Sequence, residues 1–433
     1  MNEAEVINQA LTFYHQGNYK AALKEAEKVL KKNKKNTSAL VIKGNVFYQN
    51  KNTEQALQYY MQAITIDSSD KSALLNAANI YYELKKYEKA IEFAQQVLKI
   101  DSMEKTALSI YGNSNIELEN FEEAKKSFLQ VLQLDSNDVW SYDSLSKIYQ
   151  KTEDDKRAVE CGWKAVELSE GSFEQQLNFG YLLYEIDNEY AREYAEKWLE
   201  KYGKDKLVHH MGNAILNKQK IARSDSEYVS RIFDVFADDF DDILNTLNYC
   251  APQLIEQELH RILFSKKITK LSILDAGCGT GLCGGFLKKY ARFHGLYGVD
   301  ISEKMLQKAA QKKCYDKLIK QDLEAYFAHN KKQFDLIVSS DVLTYFGDLK
   351  NIINGFHNSL KKNGRIILTV SKNNVNENDY FLHPSGRFLH HRKYIENLLK
   401  NSGFQIENFS ENILRNEGDK PVFGYVVSAL KKA

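Results

Sequence analysis

The chain has 433 residues, 43% of them hydrophobic and 27% charged, which suits two or three folded domains and excludes a mainly disordered protein. Its formal charge of +1 hides a division: residues 1–206 carry 27 Lys/Arg against 33 Asp/Glu, residues 207–258 carry 4 against 9, and residues 259–433 carry 28 against 16. No apolar run approaches the ~18 residues of a membrane span, so no transmembrane helix is expected.

The first twenty residues form an amphipathic helix without the basic start and apolar core of a signal peptide. The three prolines are Pro252, Pro384 and Pro421, so the first half of the chain can run in unbroken helices. A shift of 34 residues aligns an alanine column: Ala22, Ala56, Ala90, Ala124 and Ala158. Twelve positions earlier lie small residues, Ala10, Gly44, Ala78, Gly112 and Ser146. Three positions before the alanines stand Tyr19, Thr53, Tyr87, Phe121 and Asp155, and seven after them Val29, Ala63, Val97, Val131 and Ala165. Small residues let two helices cross closely while aromatics fill the groove beside them. One such pair cannot bury its own face, so neighbours stack into a solenoid. The period and columns resemble tetratricopeptide repeats over five units, with serine where a repeat commonly ends in proline. A sixth unit, with Gly180, Ala191, Ala195 and Trp198, slips by about a residue. Arrays of this kind bind proteins or peptides or pack on their own chain, and these repeats hold no cluster that suggests chemistry. The array is expected to span residues 1–206 as a scaffold.

Residues 207–260 form a helical bridge. In RIFDVFADDFDDIL, Phe233, Phe236 and Phe240 recur at spacings of three and four, one face of a helix decorated elsewhere with aspartates. The stripe either caps the solenoid or lies as a lid over a ligand of the next domain.

From residue 261 the pattern becomes an alternation of strands and helices. Apolar strands are expected at 271–277, 295–300, 317–322, 334–341 and 365–370, with a closing pair near 404–412 and 423–430. Amphipathic helices lie between the first five. This reads as a doubly wound α/β domain with a mostly parallel seven-stranded sheet, whose ligand binds at the carboxyl ends of the strands. There, Asp275-Ala276-Gly277-Cys278-Gly279-Thr280-Gly281 follows the first strand. Its glycines permit a tight turn and close backbone approach to a ligand. The third glycine falls at GxGxG spacing, whereas the nicotinamide fingerprint would put it at Leu282. Asp300 ends the second strand, placed to accept from two ribose hydroxyls, and Asp322 follows the third, placed to accept from an adenine amine.

ILDAGCGTG with Asp300 and Asp322 resembles the class I (Rossmann-like) S-adenosylmethionine-dependent methyltransferases. FDVFADDFDDIL, YDKLIKQDL, SSDVLTYFGDL, HPSGRFLHHRKYI and GDKPVFGYVV further resemble the bacterial methyltransferases that carry tetratricopeptide repeats at their N-terminus, over nearly the whole chain. The resemblance implies S-adenosyl-L-methionine as cofactor. Asp275, Gly277, Cys278, Gly279 and Gly281 would border its methionine part, Asp300 its ribose, and Ile301 and Met305 its adenine face. Asp322 and the Leu323 amide would meet the adenine edge, and Phe236 and Phe240 would act as the lid. Asp341, after the fourth strand, would face the transferred methyl or merely cap a helix. His390 would be a general base, since imidazole titrates near neutral pH, or would bond a substrate or loop. His383 and Tyr345 are weaker candidates. Leu389-His390-His391 departs from the small residue, histidine and serine of the family, which leaves the role of His391 open.

Methyl transfer needs alignment and desolvation more than metal, and the five cysteines form no CxxC pair or metal site, as in a reduced cytoplasmic protein. SSDVLTY lacks the Asn/Asp-Pro-Pro-Tyr/Phe stretch of enzymes that methylate adenine or glutamine amide nitrogens. The basic last third could attract an anionic substrate or RNA, or be a lysine-rich solvated surface, and no nucleic-acid motif accompanies it. Three functions fit: methylation of a protein or peptide recruited by the repeats, methylation of a small molecule or glycan with the repeats serving assembly, and a non-catalytic scaffold that binds the nucleoside.

Overall fold

The computed structural model describes residues 2–218, 221–264, 270–417 and 420–432. The chain divides into two compact units, Met1–Ile186 and Asp187–Ala433.

The first unit is a series of antiparallel helix pairs. Its helices are α1 (Glu3–His15), α2 (Tyr19–Lys32), α3 (Thr37–Gln49), α4 (Thr53–Ile66), α5 (Lys71–Glu83) and α6 (Tyr87–Ile100). They continue with α7 (Lys105–Glu117), α8 (Phe121–Leu134), α9 (Val139–Lys151), α10 (Asp155–Leu168) and α11 (Phe173–Ile186). The alanine column is buried throughout. A Cβ added at Gly44 would lie 2.3 Å from the ring of Tyr60, and one at Gly112 would lie 2.8 Å from Phe128. At these two positions the residue is small because the second helix of the pair presses an aromatic ring against it. Asn and Asp side chains cap most of the helices, Asn18 on Ala21 and Asp70 on Ala73 among them. Neighbouring pairs are tied by bonds at a separation of 35 residues, such as Gln49 Nε2 to the Tyr14 hydroxyl at 3.2 Å and Gln150 Nε2 to Glu185 at 2.5 Å.

A recurrence that the sequence hid lies in the turns within the pairs. Residues 17, 51, 85, 119 and 153 all adopt positive φ, between 56° and 74°, yet only the first is glycine and the others are Lys51, Lys85, Glu119 and Glu153. The left-handed turn repeats every 34 residues without its usual residue.

The second unit begins ahead of the boundary expected at residue 206. It opens with α12 (Glu189–Tyr202), α13 (Lys206–Leu216), α14 (Ser226–Phe236), α15 (Phe240–Thr246) and α16 (Ala251–Phe264). The alternating part follows: β1 (Leu271–Ala276), α17 (Gly284–Tyr290), β2 (Ala291–Asp300), α18 (Glu303–Gln311), β3 (Lys317–Lys320) and α19 (Leu323–His329). Next come β4 (Phe334–Ser339), a 3₁₀ turn at Leu343–Tyr345, α20 (Lys350–Ser359) and β5 (Leu360–Ser371). The chain closes with β6 (Tyr380–Leu382), β7 (Phe388–His390), α21 (Arg392–Asn401), β8 (Phe404–Glu417) and β9 (Lys420–Lys431).

Seven strands form one sheet in the order β3-β2-β1-β4-β5-β9-β8, with β9 antiparallel to both neighbours and the other pairs parallel. One face of the sheet packs on Ile255, Leu259 and Leu287, and the other on Phe327, Phe356 and Leu399. This matches the expected doubly wound arrangement. Two features differ from expectation. The β6–β7 pair is an additional two-stranded sheet in a segment where no strand was expected. The phenylalanine stripe does not share one helix, because the chain breaks between Phe236 and Phe240.

Candidate active site

The strand order reverses direction of growth at β1 and β4, and a cleft opens at their carboxyl ends. It encloses about 1130 Å³, its open mouth included. The loop from Gly277 to Cys283 forms its floor. Gly277 and Cys278 donate their amides to the Val299 carbonyl at 2.8 and 3.1 Å, which pins the loop to β2. Gly279 has φ +52°, donates its amide to Asp300 at 2.8 Å, and a Cβ there would meet no atom within 4 Å. The backbone is thus bare toward open space at that position.

Asp300 is buried at the end of β2 and accepts from the amides of Gly279 and Ser302, at 2.8 and 2.9 Å, one on each oxygen. A carboxylate offers about four acceptor positions and the Ile301 amide also acts on this one, so at least one position remains. Burial pushes its pKa up, against the pull of those amides. Asp275 lies deeper, fully enclosed and bonded by the Tyr315 hydroxyl at 2.7 Å. Burial raises it to about 7.

Asp322 lines the cleft, but its acceptor positions are filled. One oxygen caps α19 by accepting from the Glu324 and Ala325 amides, and the other meets Arg223 and, at 3.1 Å, the Ser226 hydroxyl. Arg223 also bonds Glu324 and lies 4.8 Å from the ring centre of Phe346. Its segment is stitched on by the Ser224 amide to the Tyr345 carbonyl and the Gly347 amide to the Ala222 carbonyl, both at 2.9 Å. An adenine amine meets Asp322 only if Arg223 yields. Burial would raise the Asp322 pKa, and Arg223 more than offsets this, so it is lowered.

The expected residues divide as follows. Asp275, Gly277, Cys278, Gly279, Asp300, Ile301, Asp322, Leu323, Asp341, Phe240 and Tyr345 all line the cleft. Gly281 does not: its Cα faces the Tyr315 ring, which a Cβ would approach to 2.9 Å. Met305 is fully buried in the core under α18, away from the lining. Phe236 is also off the lining. The wall is made by Phe233 and Phe240, whose ring centres are 5.9 Å apart, with Phe233 meeting Tyr345 at 5.4 Å.

His390 is the largest correction. It is fully buried on β7, outside the cleft, where Nε2 donates to the Phe346 and Gly347 carbonyls at 2.8 and 3.1 Å. Burial lowers it to about 4, and Nδ1 has no hydrogen-bond partner among the described residues. An imidazole so placed holds the loop after β4. His391 caps α21 through Nδ1, and His383 bonds Ser385 at 2.9 Å outside the lining.

Asp341 has φ +55°, with its amide donating to the Thr369 hydroxyl at 2.7 Å. Its carboxylate meets Arg415 at 3.2 Å and Arg387 at 3.9 Å. Arg415 also bonds Glu417 at 2.8 Å. Close by, the Tyr249 hydroxyl sits 3.0 Å from the Ser340 hydroxyl. Sequence reasoning missed Arg223, Tyr249 and Arg415, and gave Arg387 no role. The register of β8 slips between Ile413 and Arg415, a bulge that lets consecutive Leu414 and Arg415 both be buried. Without the partner strand that slip has no signature.

Three aspartates of the bridge dock α14, the turn after it and α15. Asp234 accepts from the Ser302 hydroxyl at 2.6 Å, and Asp241 accepts from Thr280 at 2.5 Å and from Lys312 at 2.9 Å. Asp238 pairs with Lys308 at 2.8 Å. Among the described residues no group of His, Cys, Asp and Glu is arranged to hold a metal ion, and no helix is long and apolar enough to cross a membrane.

Residues 248–408 match a family model described as a methyltransferase domain. Residues 12–173 match one described as the Psidin N-terminal TPR repeats region. Comparison with curated proteins gives no match. Among solved structures, the chain is similar to the magnesium protoporphyrin IX methyltransferase ChlM from Synechocystis PCC 6803 with bound SAH. The two are 19% identical, with 48% of this chain and 100% of that one covered and a TM-score of 0.39. For the 1,6-didemethyltoxoflavin-N1-methyltransferase of Burkholderia thailandensis, the identity is 16%, the coverage 50% and 93%, and the TM-score 0.39. For MamA the values are 17%, 37% and 94%, and 0.35. The chain carries a region of TPR-like helical repeats followed by a methyltransferase domain.

Proposed function

We propose that the second unit transfers a methyl group from S-adenosylmethionine to an acceptor, and that the repeats recruit a protein or peptide as that acceptor. One observation carries the cofactor reading: the buried Asp300 keeps acceptor capacity beside the bare backbone of Gly279, at the end of β2. That carboxylate fits the vicinal hydroxyls of a ribose, with room for the rest of the nucleoside along the loop. When bound, the cofactor supplies a methyl on a sulfonium, a leaving group already activated.

The chain's own residues align and dry the site. Ile301 and Leu323 flank the nucleoside end, while Phe233 and Phe240 exclude water from one side. Asp341, clamped by Arg415, is the carboxylate nearest the acceptor side, with the Tyr249 hydroxyl close by. The recruitment reading draws support from the polar groups that recur on α3 and α5, where Asn45 accepts from Tyr60 and where Tyr48 and Asn79 donate to Glu83, bonds that a peptide's amides could exchange with.

Calorimetry tests the cofactor reading. S-adenosylhomocysteine is expected to bind and NAD not, and Asp300→Ala is expected to weaken binding at least tenfold, since each charge-assisted bond contributes ~1.5–3 kcal/mol. Binding of NAD alone, or undiminished affinity in the variant, would overturn it. Incubating a lysate with radiolabelled S-adenosylmethionine tests recruitment: label in the small-molecule fraction alone would remove the protein acceptor.

A further inference from the structure

The cleft lies at the carboxyl ends of the parallel strands, and the opposite edge of the same sheet carries a row of cations. Ala291 pairs with Leu271, Ile273 with Leu336, Phe334 with Leu360 and Arg365 with Leu430. This register sets the amino ends of β2, β1, β4 and β5 level with the carboxyl end of the antiparallel β9. Each of these five strands presents an exposed cation there: in sheet order Arg292, Lys270, Lys332, Lys362 and Lys432. Neighbouring strands lie ~4.8 Å apart, so the row is about 19 Å long. Part of the basic surplus of residues 259–433 therefore gathers on one edge.

Two register slips push parts of the row outward. β2 runs from Ala291 to Leu296 while β1 runs only from Leu271 to Ile273, and β5 runs from Leu360 to Arg365 while β4 runs only from Phe334 to Leu336. The surplus residues bulge from the edge, with φ of +51° at His294 and +61° at Asn363. The first bulge also carries Phe293, which is 88% exposed beside Arg292.

The charge of the row is not neutralised by its surroundings. Acids at this edge are engaged elsewhere: Asp316 pairs with Lys288 at 2.6 Å and Asp335 with Lys361 at 2.8 Å, and each also accepts a backbone amide. None of the five cations is in an ion pair among the described residues. Lys431 donates to the His357 and Leu360 carbonyls at 2.6 and 2.9 Å, and its pKa is lowered by burial and then by the charge of Lys332. Positive groups thus crowd one another along the edge.

Charges in a line with an exposed ring at one end complement a strand of phosphates that carries flat bases. Proteins hold single strands without reading their sequence by this combination of cations along the backbone and an aromatic face for a base. An acidic peptide would supply the charge but no base for Phe293. We propose that this edge binds single-stranded nucleic acid, its phosphates following the row from Arg292 to Lys432 and one base stacking on Phe293. The inference is independent of the methyltransferase reading of the cleft, and its test uses no cofactor.

Fluorescence anisotropy with a labelled oligouridine tests it on the full chain, with the folding of each variant checked by circular dichroism. Wild type is expected to bind with a log–log salt slope of about −3.5, since each phosphate contact on a single strand contributes ~0.7. Arg292→Gln combined with Lys362→Gln is expected to reduce the magnitude of that slope by about 1.4. Phe293→Ala is expected to weaken binding about fivefold or more while leaving the slope unchanged, as loss of one stacked base requires. Polyglutamate and phosphatidylserine vesicles probe the other occupants. If wild type binds either of them as tightly as oligouridine and Phe293→Ala changes nothing, the edge is a site for acidic protein or lipid and the proposal is overturned. Failure of wild type to bind oligouridine at low salt, or a double variant as tight and as salt-sensitive as wild type, overturns it equally.

Discussion

Asp275 shows how one buried group couples the site to pH. Its folded pKa of about 7 lies above the ordinary 3.8, mainly through burial, so the native state keeps a proton that the unfolded chain has lost. Its contribution to stability is full below pH 4 and is lost as pH rises through about 7. His210 and His390 act in the opposite sense: burial lowers both to about 4, so their contribution is lost as pH falls from about 6.5 through 4. Asp275→Asn is expected to gain on wild type between pH 5 and pH 8, by up to about 3 kcal/mol at ~1.36 kcal/mol per unit over the two units from pH 5 to the folded pKa. Urea unfolding at the two pH values measures it, and an equal difference at both would contradict the assignment. The residues that were legible in the sequence are those of one loop and the strand end beside it. Gly277, Gly279, Asp300 and Ile301 are brought together by local chain geometry alone. Arg223 and Arg415 reach the cleft from segments far away in sequence, and their roles exist only once the sheet has closed. His390 misled because a histidine in a polar stretch reads as exposed, whereas the β6–β7 pair buries it completely.

At the scale of elements, α14, α15 and α18 (with the turn between the first two) make an electrostatic contact that the phenylalanine spacing alone did not reveal. Lys308 and Lys312 fall four residues apart, along and just past α18, and meet Asp238 and Asp241. Surface pairs of this kind contribute only ~0–1 kcal/mol each and weaken with salt. The helices that carry Phe233 and Phe240 over the cleft are therefore held by contacts weak enough to open. Lys308→Glu with Lys312→Glu is expected to speed dissociation of S-adenosylhomocysteine severalfold at low salt and to remove its dependence on ionic strength. Stopped-flow displacement with a fluorescent nucleoside reads both, and a double variant as salt-sensitive as wild type would argue against the contact as a latch. The strands and the repeat columns were readable because short apolar runs and a period of thirty-four both lie within contiguous sequence. The break between α14 and α15 was not, because no proline or glycine announces it, and the β6–β7 pair was not, although Pro384 and Gly386 mark its turn, because each strand has only three residues.

For the whole molecule, the uneven charge along the sequence gains a partial explanation. The acidic stretch 207–258 faces lysines of the basic part that follows it, within one compact unit. A fragment covering Asp187–Ala433 is expected to bind S-adenosylhomocysteine within twofold of the full chain. One starting at Leu259 lacks Arg223, Phe233, Phe240 and Tyr249 and is expected to bind more than tenfold more weakly, since one aromatic ring withdrawn from a ligand costs ~1.5–3 kcal/mol. Calorimetry on the two fragments decides this, and equal affinities would remove the bridge from the site. The first unit has its own regularity, and its turns bear on how such an array behaves over time. A left-handed backbone on Lys51, Lys85, Glu119 and Glu153 costs roughly 1–2 kcal/mol at each turn relative to an unstrained one. No side chain relieves that cost at any of them by being glycine. Each of these helix pairs is thus closed by a turn whose backbone has little freedom, and the array is stiffer at evenly spaced points than a row of glycines would have made it.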